Sequence, residues 1–198
     1  MSRWSPEGEH QLWYDVNVVL NRYARGVDRM DWELMLSAFH DDALDNHGAG
    51  FVSPRDFVAS FAPAQEHVES CQHLNGQVLL LEIDRDRQEV LVETYCVGFQ
   101  RLRPGAPSHG PLFVAPHISA DLPSGRLLSV GNRYFDVITE REGTLAIERR
   151  EVIYEWMHVE HSDDQQGLQG RTLARRSSSD VSRLSIRQFR ERSQGVSV

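Results

Sequence analysis

Four long extended runs, arranged as two pairs, constrain this chain more than any other feature. Cys71 to Ile83 carries Val78, Leu79, Leu80, Leu81 and Ile83, and Glu89 to Leu102 carries Val90, Val92, Tyr95, Val97 and Phe99. The charged turn Asp84-Arg85-Asp86 between them reads as the tip of a hairpin. Leu127 to Thr139 and Leu145 to Val159 repeat the arrangement around Glu140-Arg141-Glu142-Gly143. Because Val78 to Leu81 are consecutive, apolar groups fall on both faces of the sheet, which predicts a homo-oligomer, dimer or trimer, built through the outer face.

The chain ahead of these strands is helical. Ser5-Pro6-Glu7 has the chemistry of a helix start. Leu12, Val16, Val19, Leu20, Tyr23 and Val27 then recur at three- and four-residue spacing, which predicts a helix with one buried face, ending between Gly26 and Arg29. Asp31 caps a shorter helix whose apolar face is Trp32, Met35, Leu36 and Phe39. A short strand around Ala43 to Asn46 follows, and Ser53-Pro54 opens a third helix, running from Pro54 to about Phe61. Helices first and strand hairpins second define an α+β layout: a curved antiparallel sheet wrapped around N-terminal helices. Between the hairpins, Arg103 to Ser124 is rich in Pro and Gly yet holds Leu112, Phe113, Val114 and Ile118. A loop of that length and content is expected to cover a pocket and help choose its ligand. After His161 the composition turns polar. The domain is therefore predicted over 1–160, with 161–198 as a tail that is disordered or docked on a neighbouring subunit. Within it, Arg175-Arg176 beside Ser177-Ser178-Ser179 looks like a phosphorylatable patch but reads better as solvated.

Composition narrows the function. The chain has 198 residues and a net charge of -8, which argues against a nucleic-acid partner. No stretch approaches eighteen apolar residues, so no membrane span is expected. The N-terminal ten residues are polar, unlike a secretion signal, and a cytoplasmic location is the default. Cys71 and Cys96 are expected to be small buried hydrophobes rather than a disulfide.

Arg22 to Trp32, then Phe39-His40-Asp41-Asp42-Ala43, resembles the opening of SnoaL-like proteins, part of the nuclear transport factor 2 and ketosteroid isomerase superfamily. Gly131-Asn132-Arg133-Tyr134-Phe135-Asp136, the turn Glu142-Gly143, and Arg149 to Trp156 resemble that family's last hairpin. The likeness spans roughly residues 10 to 160. It implies a cone-shaped α+β barrel with an apolar pocket. It also implies a comparison with the family's cofactor-free lyases, scytalone dehydratase and hexachlorocyclohexane dehydrochlorinase, which use an Asp-His dyad. In that register the aspartate falls at Asp28 and the histidine at His73.

The chemistry of the two residue types fits. A neutral imidazole accepts a proton near neutral pH, and a buried carboxylate on its other nitrogen fixes the tautomer and favours the imidazolium that forms. His73 is thus the candidate general base and Asp28 its orienting partner. The competing readings are a backbone-capping aspartate and a strand histidine in the core. Arg133, in the family's Arg-Tyr motif, is a third catalytic candidate, as a group for an oxyanion or leaving group; otherwise it pairs with a strand glutamate such as Glu151. Tyr23, Tyr95, Phe113, Tyr154 and Trp156 are candidate substrate-binding residues, with core packing as the alternative. His40-Asp41-Asp42, Asp45-Asn46-His47 and His158-Val159-Glu160-His161 lack the spacing of a zinc motif, so neither a metal nor any other cofactor is expected. The resulting expectation is a lyase, a dehydratase or related elimination, acting on a hydrophobic cyclic or aromatic hydroxylated small molecule. The alternatives are an isomerase, a polyketide cyclase or a carbonyl-releasing lyase in the same pocket, or a non-catalytic binding module.

Overall fold

In a computed structural model, residues 2–104, 125–162 and 171–193 are described. The pocket-covering role expected of the loop from Arg103 to Ser124, and Phe113 with it, therefore lies almost wholly outside them.

A 3₁₀ turn at Pro6–Gly8 leads into α1 (Glu9–Asp28), whose buried side carries Leu12, Val16, Val19, Leu20, Tyr23 and Val27 as the spacing predicts. The helix stops where Met30 takes the left-handed conformation, φ 51°, which lets the Asp31 amide donate to the Gly26 carbonyl at 2.8 Å. Gly26 itself is required there, since a Cβ would lie 2.5 Å from Met35 on α2 (Trp32–Leu36). Asp31 caps α2 by accepting from the Leu34 amide. Phe39 belongs not to that helix but to β1 (Phe39–Asn46), which is longer than the strand expected from Ala43. Ser53 caps α3 (Pro54–Gln65) by accepting from the Asp56 amide at 3.1 Å, and this helix runs a turn past Phe61.

The long strands are β2 (Val68–Asp84), β3 (Glu89–Leu102), β4 (Gly125–Arg141) and β5 (Thr144–Ser162). Their order in one curved, open sheet is β1-β5-β4-β3-β2. All long neighbours are antiparallel, but β1 lies parallel to β5, so the sheet is mixed rather than antiparallel throughout. The helices pack on the inner face against Val90, Val92, Ile138, Ile147 and Val152, forming one core.

Residues 171–193 make contacts within this chain. They lie on this chain's own α1 and α2 and form a further helix, α4 (Val181–Ser193). Arg25 donates to Ser182 at 3.1 Å, and Arg183 pairs with Asp31. Asp180 is buried and accepts from the Arg175 amide at 2.8 Å.

Candidate active site

Strand pairing decides which side chains meet. His73 on β2 is opposite Gly98 on β3, and Gly98 is opposite Val130 on β4. Paired residues share a face and side chains alternate along a strand. Even-numbered residues of β3 and β4 therefore face inward with His73. They include Gly98, Gln100, Asn132 and Tyr134, which line one narrow cavity of about 20 Å3 with His73.

Asp28 and His73 meet there. His73 Nδ1 lies 2.6 Å from Asp28 Oδ1, and the His73 amide donates to Asp28 Oδ2 at 3.1 Å. Both carboxylate oxygens are thus used by one residue, which locks the ring's position. The proton sits naturally on Nδ1, leaving the Nε2 lone pair for the cavity. Burial opposes the Asp28 carboxylate, but its hydrogen bonds to His73 outweigh that and hold its pKa below the usual range. Burial likewise opposes the imidazolium, yet the Cys71 sulfur and the Asp28 carboxylate lift the His73 pKa well above that of an ordinary imidazole. On the Nε2 side Gly98 leaves room: a Cβ on it would come 3.9 Å from that nitrogen.

A second buried polar chain stands on the same cavity. The Tyr23 hydroxyl is 3.0 Å from His47 Nε2. His47 Nδ1 lies 3.1 Å from Asp45 Oδ1, an ion-pair distance without hydrogen-bond alignment. Phe57 stacks on the His47 ring at 4.1 Å. Burial and the Asp45 charge push the Tyr23 hydroxyl well above its ordinary pKa, with Arg150 pulling the other way. Arg150 is fully buried, forked onto Asp136 at 2.8 and 2.7 Å, with its guanidinium 4.2 Å from the Tyr23 ring centre and 4.1 Å from that of Tyr134. Asn132 Oδ1 is buried with no hydrogen-bond partner.

The other sequence candidates divide by the same alternation. Tyr23 lines the cavity. Tyr154 pairs with Asn132 and so shares the inner face; it is 39% exposed, and burial together with the Asp45 charge pushes its hydroxyl up. Arg133 and Tyr95 are odd-numbered neighbours on the outer face, away from the dyad. Arg133 is paired there with Glu93 and Glu155, each at 2.6 Å, and not with Glu151. Trp156 joins them because a bulge at Gly131/Asn132 puts its ring over Gly131, where a Cβ would come 2.2 Å from the indole nitrogen. Arg150 and Arg126 are buried, whereas Arg133 is only partly so. His47, Asp45, Gln100 and Asn132 were not predicted as site residues. The alternation Asp45-x-His47 was the available signal, but it reads equally as a metal motif or a turn.

Asp28, Cys71 and His73 also offer three ligand atoms within 4.8 Å of one another. The 2.6 Å separation of Oδ1 and Nδ1 suits a shared proton. Two ligands of a tetrahedral zinc, with bonds of roughly 2.0 to 2.3 Å, stand about 3.3 Å or more apart. Arg176, whose guanidinium interacts electrostatically with both Cys71 and Asp28, adds a positive charge that a divalent cation would have to oppose.

The sequence matches the SnoaL-like domain over residues 14–151, and the chain belongs to that family. No curated sequence matches it. Among solved structures, a hexachlorocyclohexane dehydrochlorinase, LinA type 2, superposes with a TM-score of 0.62 at 12% identity, covering 81% of this chain and 99% of that one. A candidate scytalone dehydratase from Novosphingobium aromaticivorans gives 0.60 at 13% identity, covering 81% and 97%. The β subunit of a candidate aromatic-ring-hydroxylating dioxygenase from the same organism gives 0.52 at 15%, covering 75% and 92%. At these identities the likeness is one of fold.

Proposed function

We propose that the protein is a cofactor-independent lyase, a dehydratase or related elimination catalyst, acting on a hydrophobic cyclic or aromatic hydroxylated small molecule. The observation that carries this reading is the Asp28–His73 pair, 2.6 Å apart, with the imidazole facing a narrow cavity. His73 Nε2 removes a proton from carbon, the electron pair forms the double bond, and the carbon–oxygen bond breaks. The departing oxygen needs a proton; in this reading the Tyr23 hydroxyl gives it, and His47, 3.0 Å behind, restores it. The elevated Tyr23 pKa keeps that hydroxyl protonated until the carbon–oxygen bond breaks and the departing oxygen, then the stronger base, takes its proton. A ligand hydroxyl would also satisfy the orphan Asn132 Oδ1, whose burial without a partner costs about 1 to 3 kcal/mol. Val27, Phe57, Phe61 and Val130 supply apolar walls, which part to admit a ring.

The same base would serve an isomerase that moves a proton next to a carbonyl, so the substrate panel must hold both classes. Leu74, Leu79, Tyr95, Trp156 and Met157 are exposed on or near the long strands, which supports self-association through the sheet. The test is a panel of hydroxylated aromatics, cyclic alcohols and steroid ketones, assayed for turnover and soaked into crystals. Product formation with electron density beside His73 supports the reading. Density only on the outer face, with no turnover, defeats it.

A further inference from the structure

We infer that the C-terminal segment is a working part of this site, and that Arg176 is a positioning residue which fixes the backbone beneath Asp28 and thereby the Asp28–His73 geometry. Residue 176 lies beyond the family domain, which ends at 151. Its side chain nevertheless enters behind the dyad. Nη2 donates to the Val27 carbonyl at 2.7 Å and to Gln65 Oε1 at 2.9 Å. Nε donates to the Asp28 carbonyl at 3.1 Å. Nη1 donates to the carbonyls of Gln65 at 3.0 Å and Val68 at 3.4 Å. One guanidinium therefore ties the last turn of α1, the end of α3 and the start of β2.

The location is favourable for physical reasons. The last carbonyls of a helix lack intrahelical partners, and a helix C-terminus carries partial negative charge. Arg176 serves two such ends at once. A planar fork can meet five acceptors in three directions; a lysine ammonium has three donors from one point. The dyad spans the joint that this fork closes, since Asp28 is the last residue of α1 and His73 lies five residues into β2 from Val68. The segment is held in place independently by Arg183 on Asp31 and by Ser182 on Arg25. Freed of Arg176, the α1 terminus and β2 can drift apart, and the 2.6 Å bond between the two side chains is the first contact to lengthen.

This inference does not depend on which reaction the dyad performs, so its test needs no substrate. The groups around His73 are Asp28 and Tyr23 on α1, Cys71 on β2, His47 after β1, Tyr134 on β4 and Arg176. Among them Cys71 and Asp28 both raise the imidazole pKa, and Asp28, at 2.6 Å, is the one whose position the Arg176 fork fixes directly. The experiment is an NMR titration of the His73 ring in the full-length protein, wild type against Arg176→Gln and Arg176→Lys, with circular dichroism as the folding control. Arg176→Gln is expected to lower the His73 pKa by on the order of one unit, a tenfold change in its protonation ratio. Arg176→Lys, which keeps the charge but not the fork, should restore folding stability more fully than it restores the titration. An unchanged His73 pKa in folded Arg176→Gln would overturn the inference. So would a rise, which would mean that Arg176 acts only as a nearby charge. If the glutamine variant does not fold, a wild-type titration in Arg176→Lys overturns the inference by itself, and a lowered one upholds it.

Discussion

Replacing Asp28 by asparagine changes one atom and sets up a conflict that the structure lets one work through. Asp28 accepts two hydrogen bonds from His73, at 2.6 Å from the ring and 3.1 Å from the backbone amide. An asparagine has one oxygen for these two donors. If its oxygen stays on the backbone amide, its NH2 meets Nδ1; the ring must then carry its proton on Nε2, and the nitrogen facing the cavity can no longer accept one. If the oxygen turns to Nδ1, the NH2 opposes the backbone N–H, at a cost of about 1 to 3 kcal/mol. The inactive tautomer is therefore favoured. Turnover should fall by roughly 100- to 10,000-fold, the range of a lost general base. Losing a charge-assisted bond also costs about 1.5 to 3 kcal/mol of stability, or on the order of 3 to 12 °C in Tm for a chain this size. The assay is a kcat and KM pair with a thermal melt, together with ring 15N shifts to read the tautomer. A folded Asp28→Asn protein with the wild-type rate and with Nδ1 still protonated would refute this reasoning.

Three further outcomes follow from the geometry. Turnover should rise with pH as His73 loses its proton, with a midpoint above about 6.5, the ordinary imidazole value. The dyad's stability contribution has the opposite trend on that side: a raised His73 pKa contributes below about 6.5 and is lost as pH climbs through the folded value, while the lowered Asp28 pKa contributes above about 3.9 and is lost as pH falls through its own folded value. Denaturant midpoints across pH, compared with Asp28→Asn, measure both limbs, and a pH-independent difference would contradict them. Gly98→Val should fold but fill the space before Nε2 and lower turnover at least tenfold, checked by steady-state kinetics; a wild-type rate would mean that the reaction does not use that side of the ring. Arg133→Ala, on the outer face, should leave kcat unchanged and move the urea midpoint little, measured by kinetics and urea unfolding.

The long strands were legible because their apolar content and charged turns leave few alternatives. Glu89 to Leu102 was bounded to the residue, and the others to within a few residues. The parallel seat of β1 was not, since nothing local to Phe39–Asn46 says which neighbour it takes or in which direction. Side-chain direction failed for a related reason. The aromatic and basic residues of the last hairpin are prominent in the sequence, but only cross-strand register tells Tyr134 and Asn132, which face His73, from Arg133 and Tyr95, which do not. The bulge that turns Trp156 outward has a cause, Gly131, that no periodicity reveals. Asp28 and His73 were found through family register rather than spacing, because 45 residues separate them. Arg176 was read as solvated; a single arginine in a polar stretch gives no sign that two helix ends await it.

The central claim is that His73 is the proton acceptor of a reaction carried out in this cavity. Its most direct test is the turnover of His73→Ala on a substrate that the wild-type protein converts, with ligand affinity measured separately and circular dichroism confirming the fold. The account predicts a loss of roughly 100- to 10,000-fold in rate with a much smaller change in affinity. A folded His73→Ala protein that turns over at the wild-type rate would contradict it.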